Sequence, residues 1–187
     1  MNAQELLSRL ELNPIIAAVH ERDFAAAIDS PAEVIFCLKT NVLGVSERVR
    51  SAHGAGKCIL VHIDLADGIG KDRMGVEYLA SLGVDGIIST RTQLLRHAKE
   101  CGLIAVQRFF ALDSQGMESI SENLENSVCD FAEIMPGVIG KAISRFSGGK
   151  IPVIAGGLIE TKKEVLAALE CGALAVSTGK RALWYID

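Results

Sequence analysis

Aromatic side chains are scarce in this chain, with one Trp, two Tyr and six Phe in 187 residues. A protein that reads bases by stacking them on a sheet needs several aromatics together, and no RNP-like run occurs here. Basic residues are not in excess either: 19 Lys and Arg against 23 Asp and Glu leave a net charge of −4. That balance argues against broad nonspecific attraction to nucleic acid or anionic membrane. Two local basic groups stand out, Arg48, Arg50, His53 and Lys57, and Lys162, Lys163, Lys180 and Arg181. Solvated outer helix faces account for either group. No apolar run approaches the ~20 residues of a membrane span. The first 13 residues read as a helix with Glu5, Arg9 and Glu11 among its leucines, which is not a signal pattern. The five cysteines (Cys37, Cys58, Cys101, Cys129 and Cys171) show neither CxxC nor Cys/His spacing. Reduced thiols, a cytoplasmic location, no cofactor, no metal and no membrane partner are therefore expected.

What the sequence does have is a globular composition, 49% hydrophobic and 22% charged, long enough to bury a core. One domain over residues 1–187 is expected, because neither a linker nor a shift of composition divides the chain. Short apolar runs alternate with helical spacing throughout. Strands are predicted at Pro14–Val19, Glu33–Leu38, Lys57–Leu65, Gly86–Ser89, Leu103–Phe110, Phe131–Met135, Ile151–Ala155 and Ala173–Val176. Helices are predicted at Asp23–Ile28, Val42–His53, Asp72–Leu82, Gln93–Cys101, around Met117–Leu124 and Val138–Phe146, and from Thr161 towards Gly172. Arg181–Ile186 forms a short closing helix. Regular βα alternation implies a parallel sheet with right-handed crossovers. Eight strands favour a compact (β/α)8 TIM-like barrel in the α/β class, shorter than the ~250 residues usual for that fold.

Period-two alternation then sorts the polar residues. In the third strand Ile59, Val61, Ile63 and Leu65 would face the outer helices, and Cys58, Leu60, His62 and Asp64 the lumen. In the sixth, Ala132 and Ile134 face the helices, with Phe131, Glu133 and Met135 inward. A carboxylate at the depth of Glu133 needs a partner. Lys39, Arg91 and Arg108 are the candidates, although Gln107 and Arg108 sit side by side and alternation does not decide which faces inward. Asp67, Asp72 and Glu77 belong to solvated loops or helix starts.

The stretch Ile151–Lys180 reads as strand, Gly156-Gly157, helix, strand and a small polar turn at Ser177-Thr178-Gly179. Thr161 with Glu164 three residues on forms a capping box, and Val165, Leu166 and Leu169 form the apolar stripe. As the seventh and eighth strands of a barrel, this unit lies where such folds commonly bind phosphate. Backbone N–H groups and a helix N-terminus favour an anion there.

Taken in order, Val61-His-Ile-Asp-Leu65, Asp67-Gly-Ile-Gly-Lys-Asp72, Asp85-Gly-Ile-Ile-Ser-Thr-Arg91, Gln107-Arg-Phe-Phe110, Asp113-Ser114, Glu133-Ile-Met-Pro-Gly137, Ile151–Ile159 and Ala175-Val-Ser-Thr178 with Trp184 resemble the glycerol-3-phosphate-responsive antiterminator family. The resemblance runs from about Pro14 to Trp184. It implies a TIM-like barrel that binds glycerol 3-phosphate and acts on leader mRNA, so that transcription of glycerol uptake genes passes a terminator. It puts the phosphate on Gly156, Gly157, Ser177 and Thr178, and the glycerol end towards His62, Asp64 and Glu133, with Arg91 or Arg108 adding positive charge. One departure is Thr40-Asn41, where relatives tend to carry Gly-Asp. RNA binding follows from the resemblance alone, and a homo-oligomer is compatible with the sequence. An alternative is an enzyme acting on a small phosphorylated metabolite, with His62, Asp64 and Glu133 as acid and base groups. A third is a ligand-binding barrel that acts only through protein partners.

Overall fold

The computed structural model describes residues 1–186. A helix, α1 (Ala3–Leu12), precedes β1 (Ile15–Val19), α2 (Phe24–Asp29) and β2 (Val34–Cys37). Then come β3 (Thr40–Asn41), α3 (Val45–Gly54), β4 (Cys58–His62), β5 (Ala66–Asp67) and α4 (Arg73–Ser81). The chain continues through β6 (Gly86–Ser89), α5 (Thr92–Glu100), β7 (Ile104–Phe110), α6 (Ser114–Glu125), β8 (Phe131–Met135) and α7 (Gly140–Phe146). It ends with β9 (Val153–Gly156), α8 (Lys162–Glu170) and β10 (Ala175–Thr178), followed by a 3-10 segment at Arg181–Tyr185.

Eight of these strands close a parallel barrel in the order β1-β10-β9-β8-β7-β6-β4-β2, as the alternation predicted. Closure is made by β1, which pairs Ile16 with Ser177 on one side and with Val34 on the other. The two remaining strands, β3 and β5, pair with each other as a small parallel lip, Thr40 opposite Ala66. They fall just before the helix expected from Val42, which starts at Val45 instead, and just after the third strand expected to run to Leu65; neither was anticipated.

Two apolar layers follow from the alternation. Ile59, Val61, Ile63, Ala132 and Ile134 belong to the layer between strands and helices. Cys58, Leu60, Ile88, Ile104, Val106 and Phe131 fill the lumen together with Leu6 and Leu10 of α1. Arg9 donates to the carbonyl of Gly56, just before β4, so α1 lies across the N-terminal end of the barrel as a plug. At the chain's other end Trp184 is buried and its Nε1 donates to the Thr178 carbonyl at 2.8 Å, bracing β10 where a full helix would otherwise pack.

Three expectations are corrected. The third strand ends at His62, because Ile63–Leu65 turns into a 3-10 segment that leaves Leu65 half exposed rather than packed on the helices. Ser177 and Thr178 lie inside β10, not in a turn after it, and Gly156 is the last residue of β9. In α8, Val165 and Ala168 carry the buried face while Leu166 is exposed. The capping box is present, with the Thr161 hydroxyl accepting from the Glu164 N–H and the Glu164 carboxylate accepting from the Thr161 N–H. Thr161→Ala is expected to lower stability by about 1 kcal/mol, read as a shift of the urea-unfolding midpoint at unchanged slope.

Candidate functional site

The C-terminal mouth of the barrel is where strands hand over to loops, and there the lumen changes from apolar to polar. Alternation along β7 puts Ile104 and Val106 in the lumen, so Arg108 follows them inward. Gln107 points the other way, where its amide donates to Thr92 and its carbonyl accepts from Ser127. Arg108 is opposite Glu133 in the register, and its Nε donates to Glu133 at 2.6 Å. The other carboxylate oxygen accepts from the Ser177 hydroxyl, also at 2.6 Å. Glu133 is 1% exposed, so this carboxylate is held deep in the barrel with a donor on each oxygen. Gly156 makes the seat, since a Cβ there would stand 2.5 Å from the Glu133 carboxylate and 2.8 Å from the Ser177 hydroxyl.

Above this ion pair opens a cavity of about 110 Å³ whose lining includes Arg108, Glu133, Gly157, Leu158, Ser177 and Thr178. Gly157 has φ of 76° and Leu158, next to it, φ of 60°. A bulky residue in the left-handed region is uncommon, and such strain collects at functional loops. Leu158 is a lining residue that the sequence reading missed; only its place after the glycine pair could have pointed to it. Thr178 is not a free donor, because its hydroxyl donates to the Ile159 carbonyl and accepts from the Lys180 N–H. It holds the loops after β9 and β10 together at the edge of the cavity.

His62, on the lumen face of β4, is 4% exposed, and among the described residues neither ring nitrogen has a hydrogen-bond partner. Its pKa falls from 6.5 to about 4, chiefly because burial penalises the imidazolium and next because Arg108 is positive; Asp64 opposes the shift. The imidazole is therefore neutral at pH 7, presenting one N–H donor and one acceptor. Buried polar nitrogens without partners are rare in folded proteins and mark positions where a bound group would supply the bonds.

His62 feels the Arg108 charge but does not line the cavity, and Asp64 and Arg91 stand further from the cluster. Asp64 lies in the 3-10 turn and accepts from the Ser89 hydroxyl at 3.0 Å and the Thr90 N–H at 2.8 Å, fixing the loop after β6. Its Oδ2 is 3.8 Å from the His62 Nε2 and its Oδ1 is 3.8 Å from the Arg91 Nε. Arg91 is more than half exposed and lines a separate groove of about 630 Å³ with Lys71, Arg73 and His97. Lys39 is exposed and the partner of Glu133 is Arg108. Of the two basic groups seen in the sequence, the first is largely structural. Arg48 pairs with Glu21, His53 contacts Asp85, and Lys57 is buried with its ammonium on the Ser30 and Ala32 carbonyls. Among the described residues no helix is long and apolar enough to cross a membrane, and no cluster of His, Cys, Asp or Glu could hold a metal ion.

Comparison with known proteins adds to this geometry. The family model described as glycerol-3-phosphate responsive antiterminator matches residues 15–184. The Escherichia coli K12 protein YgcP is 32% identical over 182 residues, which are 96% of this chain and 95% of that protein. The glycerol uptake operon antiterminator regulatory protein of Listeria monocytogenes is 33% identical with a TM-score of 0.87, covering 92% of this chain and 95% of its own. A glycerol uptake operon antiterminator-related protein of Thermotoga maritima is also 33% identical, with a TM-score of 0.80 over 91% of this chain and 96% of its own. Barrel enzymes at 12–19% identity share the fold alone.

Proposed function

The chain belongs to the glycerol-3-phosphate responsive antiterminator family, and on that premise we propose that it senses sn-glycerol 3-phosphate in the barrel mouth and passes the signal to a leader mRNA. The observation that carries the ligand half is the cavity that joins a glycine-rich backbone edge to a buried carboxylate. Glu133 is already seated on Ser177 and Arg108. A dianionic phosphate beside that carboxylate would be repelled, at a place where burial weakens screening. The phosphate therefore belongs at the outer edge, on the backbone of Gly157 and the loop at Gly179, with Lys180 close by. The glycerol hydroxyls then point inward, where Glu133 accepts from them and the neutral His62 offers both a donor and an acceptor.

This ordering keeps Gly157, Ser177, Thr178, Arg108 and Glu133 in the lining, with Gly156 and His62 beside it, and gives them different tasks. Gly156 and Ser177 position the carboxylate, Thr178 positions the loops, and Gly157 meets the anion. Asp64 and Arg91 shape the neighbouring loops. An enzyme reading has less support, because Glu133, the most deeply placed acid or base, has both oxygens tied to donors. Ligand at ~100 times its dissociation constant should add about 2.7 kcal/mol of stability, seen as a rise in Tm. Glycerol and inorganic phosphate, each alone, should give much smaller shifts at the same concentration. No rise with millimolar glycerol 3-phosphate would sink the sensing half of the proposal.

A further inference from the structure

The net charge of this chain is unevenly placed. Take the eight segments that run from the residue after each barrel strand through the second residue of the α-helix that follows, or, after β10, of the 3-10 segment at Arg181–Tyr185. Together they form the rim of the mouth, and they hold ten Lys and Arg against seven Asp and Glu. Setting aside the buried Arg108–Glu133 pair, the other described residues hold eight Lys and Arg against fourteen Asp and Glu. The rim is therefore positive and the rest of the surface negative, which the chain-wide total of −4 conceals.

Apolar side chains gather on the same rim. Of thirteen exposed large hydrophobics, eight lie in those segments, and Phe110 stands at the end of β7 directly beside them. Leu43 is 91% exposed and Leu112 is 77% exposed, and several other loops add one or two tips. The ring encircles the ligand cavity: Leu158 lines it, and Phe110 is paired in register with Met135, which lines it too. Any one such tip is ordinary on a protein surface; their gathering on one end of the barrel, where the basic excess also lies, is what suits a partner with both charge and apolar surface.

We infer that this rim is the surface that grips single-stranded RNA, with the ligand cavity at the centre of the footprint; the inference rests on the reading of the chain as a regulator acting through RNA. Two copies meeting rim to rim would face like net charge, which disfavours self-association there. A polyanion gains from the basic excess through counterion release. Unstacked bases are the anion's own apolar component, and they can lie on Phe110 and the neighbouring Leu112, one aromatic sufficing where phosphate contacts provide most of the attachment. A flat anionic membrane fits less well, since the hydrophobic tips are set around a hollow with acidic residues between them. A ligand in the cavity would sit under the RNA, so ordering the loops at Leu158 and Gly179 would change the surface the RNA meets.

The test uses the full chain with glycerol 3-phosphate, a transcript of the leader of its own operon, and a scrambled transcript. Lys141→Glu with Lys163→Glu reverses two exposed rim charges outside the cavity. Binding to the leader should weaken by at least about tenfold, and the slope of log affinity against log salt should fall by about two. Phe110→Ala with Leu112→Ala should weaken it by at least about fivefold. Arg50→Glu with Lys150→Glu, both exposed and away from the mouth, should change little. In all three variants the Tm rise with glycerol 3-phosphate should persist. Wild-type affinity in both rim variants, or a larger loss in the control pair, would overturn the rim assignment while leaving the functional reading intact. Absence of leader binding by the unaltered protein, with the ligand-induced Tm rise present, would remove RNA as the output and the rim assignment with it. Rim-dependent capture on phosphatidylserine vesicles with no preference for leader RNA would replace the RNA by a membrane.

Discussion

Arg108→Met is expected to lower the unfolding free energy by about 3–5 kcal/mol, the cost of leaving one member of a buried ion pair without the other. The geometry behind the figure is specific. Glu133 is 1% exposed, its Oε2 is 2.6 Å from the Arg108 Nε, and its Oε1 is 2.6 Å from the Ser177 hydroxyl. With the guanidinium gone, a carboxylate in the middle of the barrel keeps a single neutral donor, and water does not reach it freely. Methionine retains the volume, so the loss is electrostatic rather than a cavity effect. The double variant Arg108→Met, Glu133→Leu should recover most of the stability, because removing both charges also removes the desolvation they require. On the proposed reading glycerol 3-phosphate should stabilise neither variant, since both have lost the fixed carboxylate arrangement assigned to orienting the hydroxyls. Urea unfolding with and without ligand measures both statements. A loss below about 1 kcal/mol in the single variant would show that the pair behaves as an exposed one.

Much of this site could be read from residue order alone. The inward direction of His62 and Glu133 follows from period-two alternation along apolar strands, because a one-residue slip would expose every Ile and Val on the outer face. The capping box at Thr161 and Glu164 is local chemistry, so three residues of sequence suffice to see it. What sequence does not carry is the point at which a strand stops pairing. The apolar pattern of Ile63 and Leu65 continues past the last ladder contact at His62, and only the 3-10 turn separates Asp64 from the lumen. Gln107 and Arg108 are both polar, so their facing waits on the register with β8. The plug formed by Leu6 and Leu10 was invisible for a different reason. An amphipathic pattern announces that a helix buries one face, and it does not say against what.

Acid should destabilise the protein through His62, by about 2 kcal/mol at pH 5 and about 3 kcal/mol once the pH is well below 4. The sign follows from which state binds the proton. The imidazole titrates near 6.5 in the unfolded chain and near 4 in the barrel, where burial and the Arg108 charge oppose protonation. Above pH 6.5 both states are neutral at this position and it contributes nothing. Between 6.5 and 4 the unfolded state takes up a proton that the folded state refuses, so stability falls as the pH falls. Below 4 both are protonated and the loss levels off. Carboxylates add their own acid dependence, which is why the test is a difference. His62→Gln and the unaltered protein are unfolded in urea from pH 7.5 to 4.5, and the gap between them should shift by about 2 kcal/mol in favour of the variant by pH 5. A constant gap would show that His62 titrates normally, and so that water or another partner reaches its ring. The two predictions are coupled through one charge. Arg108→Met removes the second-largest cause of the depressed imidazole, so the His62-dependent part of the acid loss should shrink in that background. If it does, the guanidinium serves two purposes in the barrel: it holds the Glu133 carboxylate in place and adds to burial in keeping His62 uncharged.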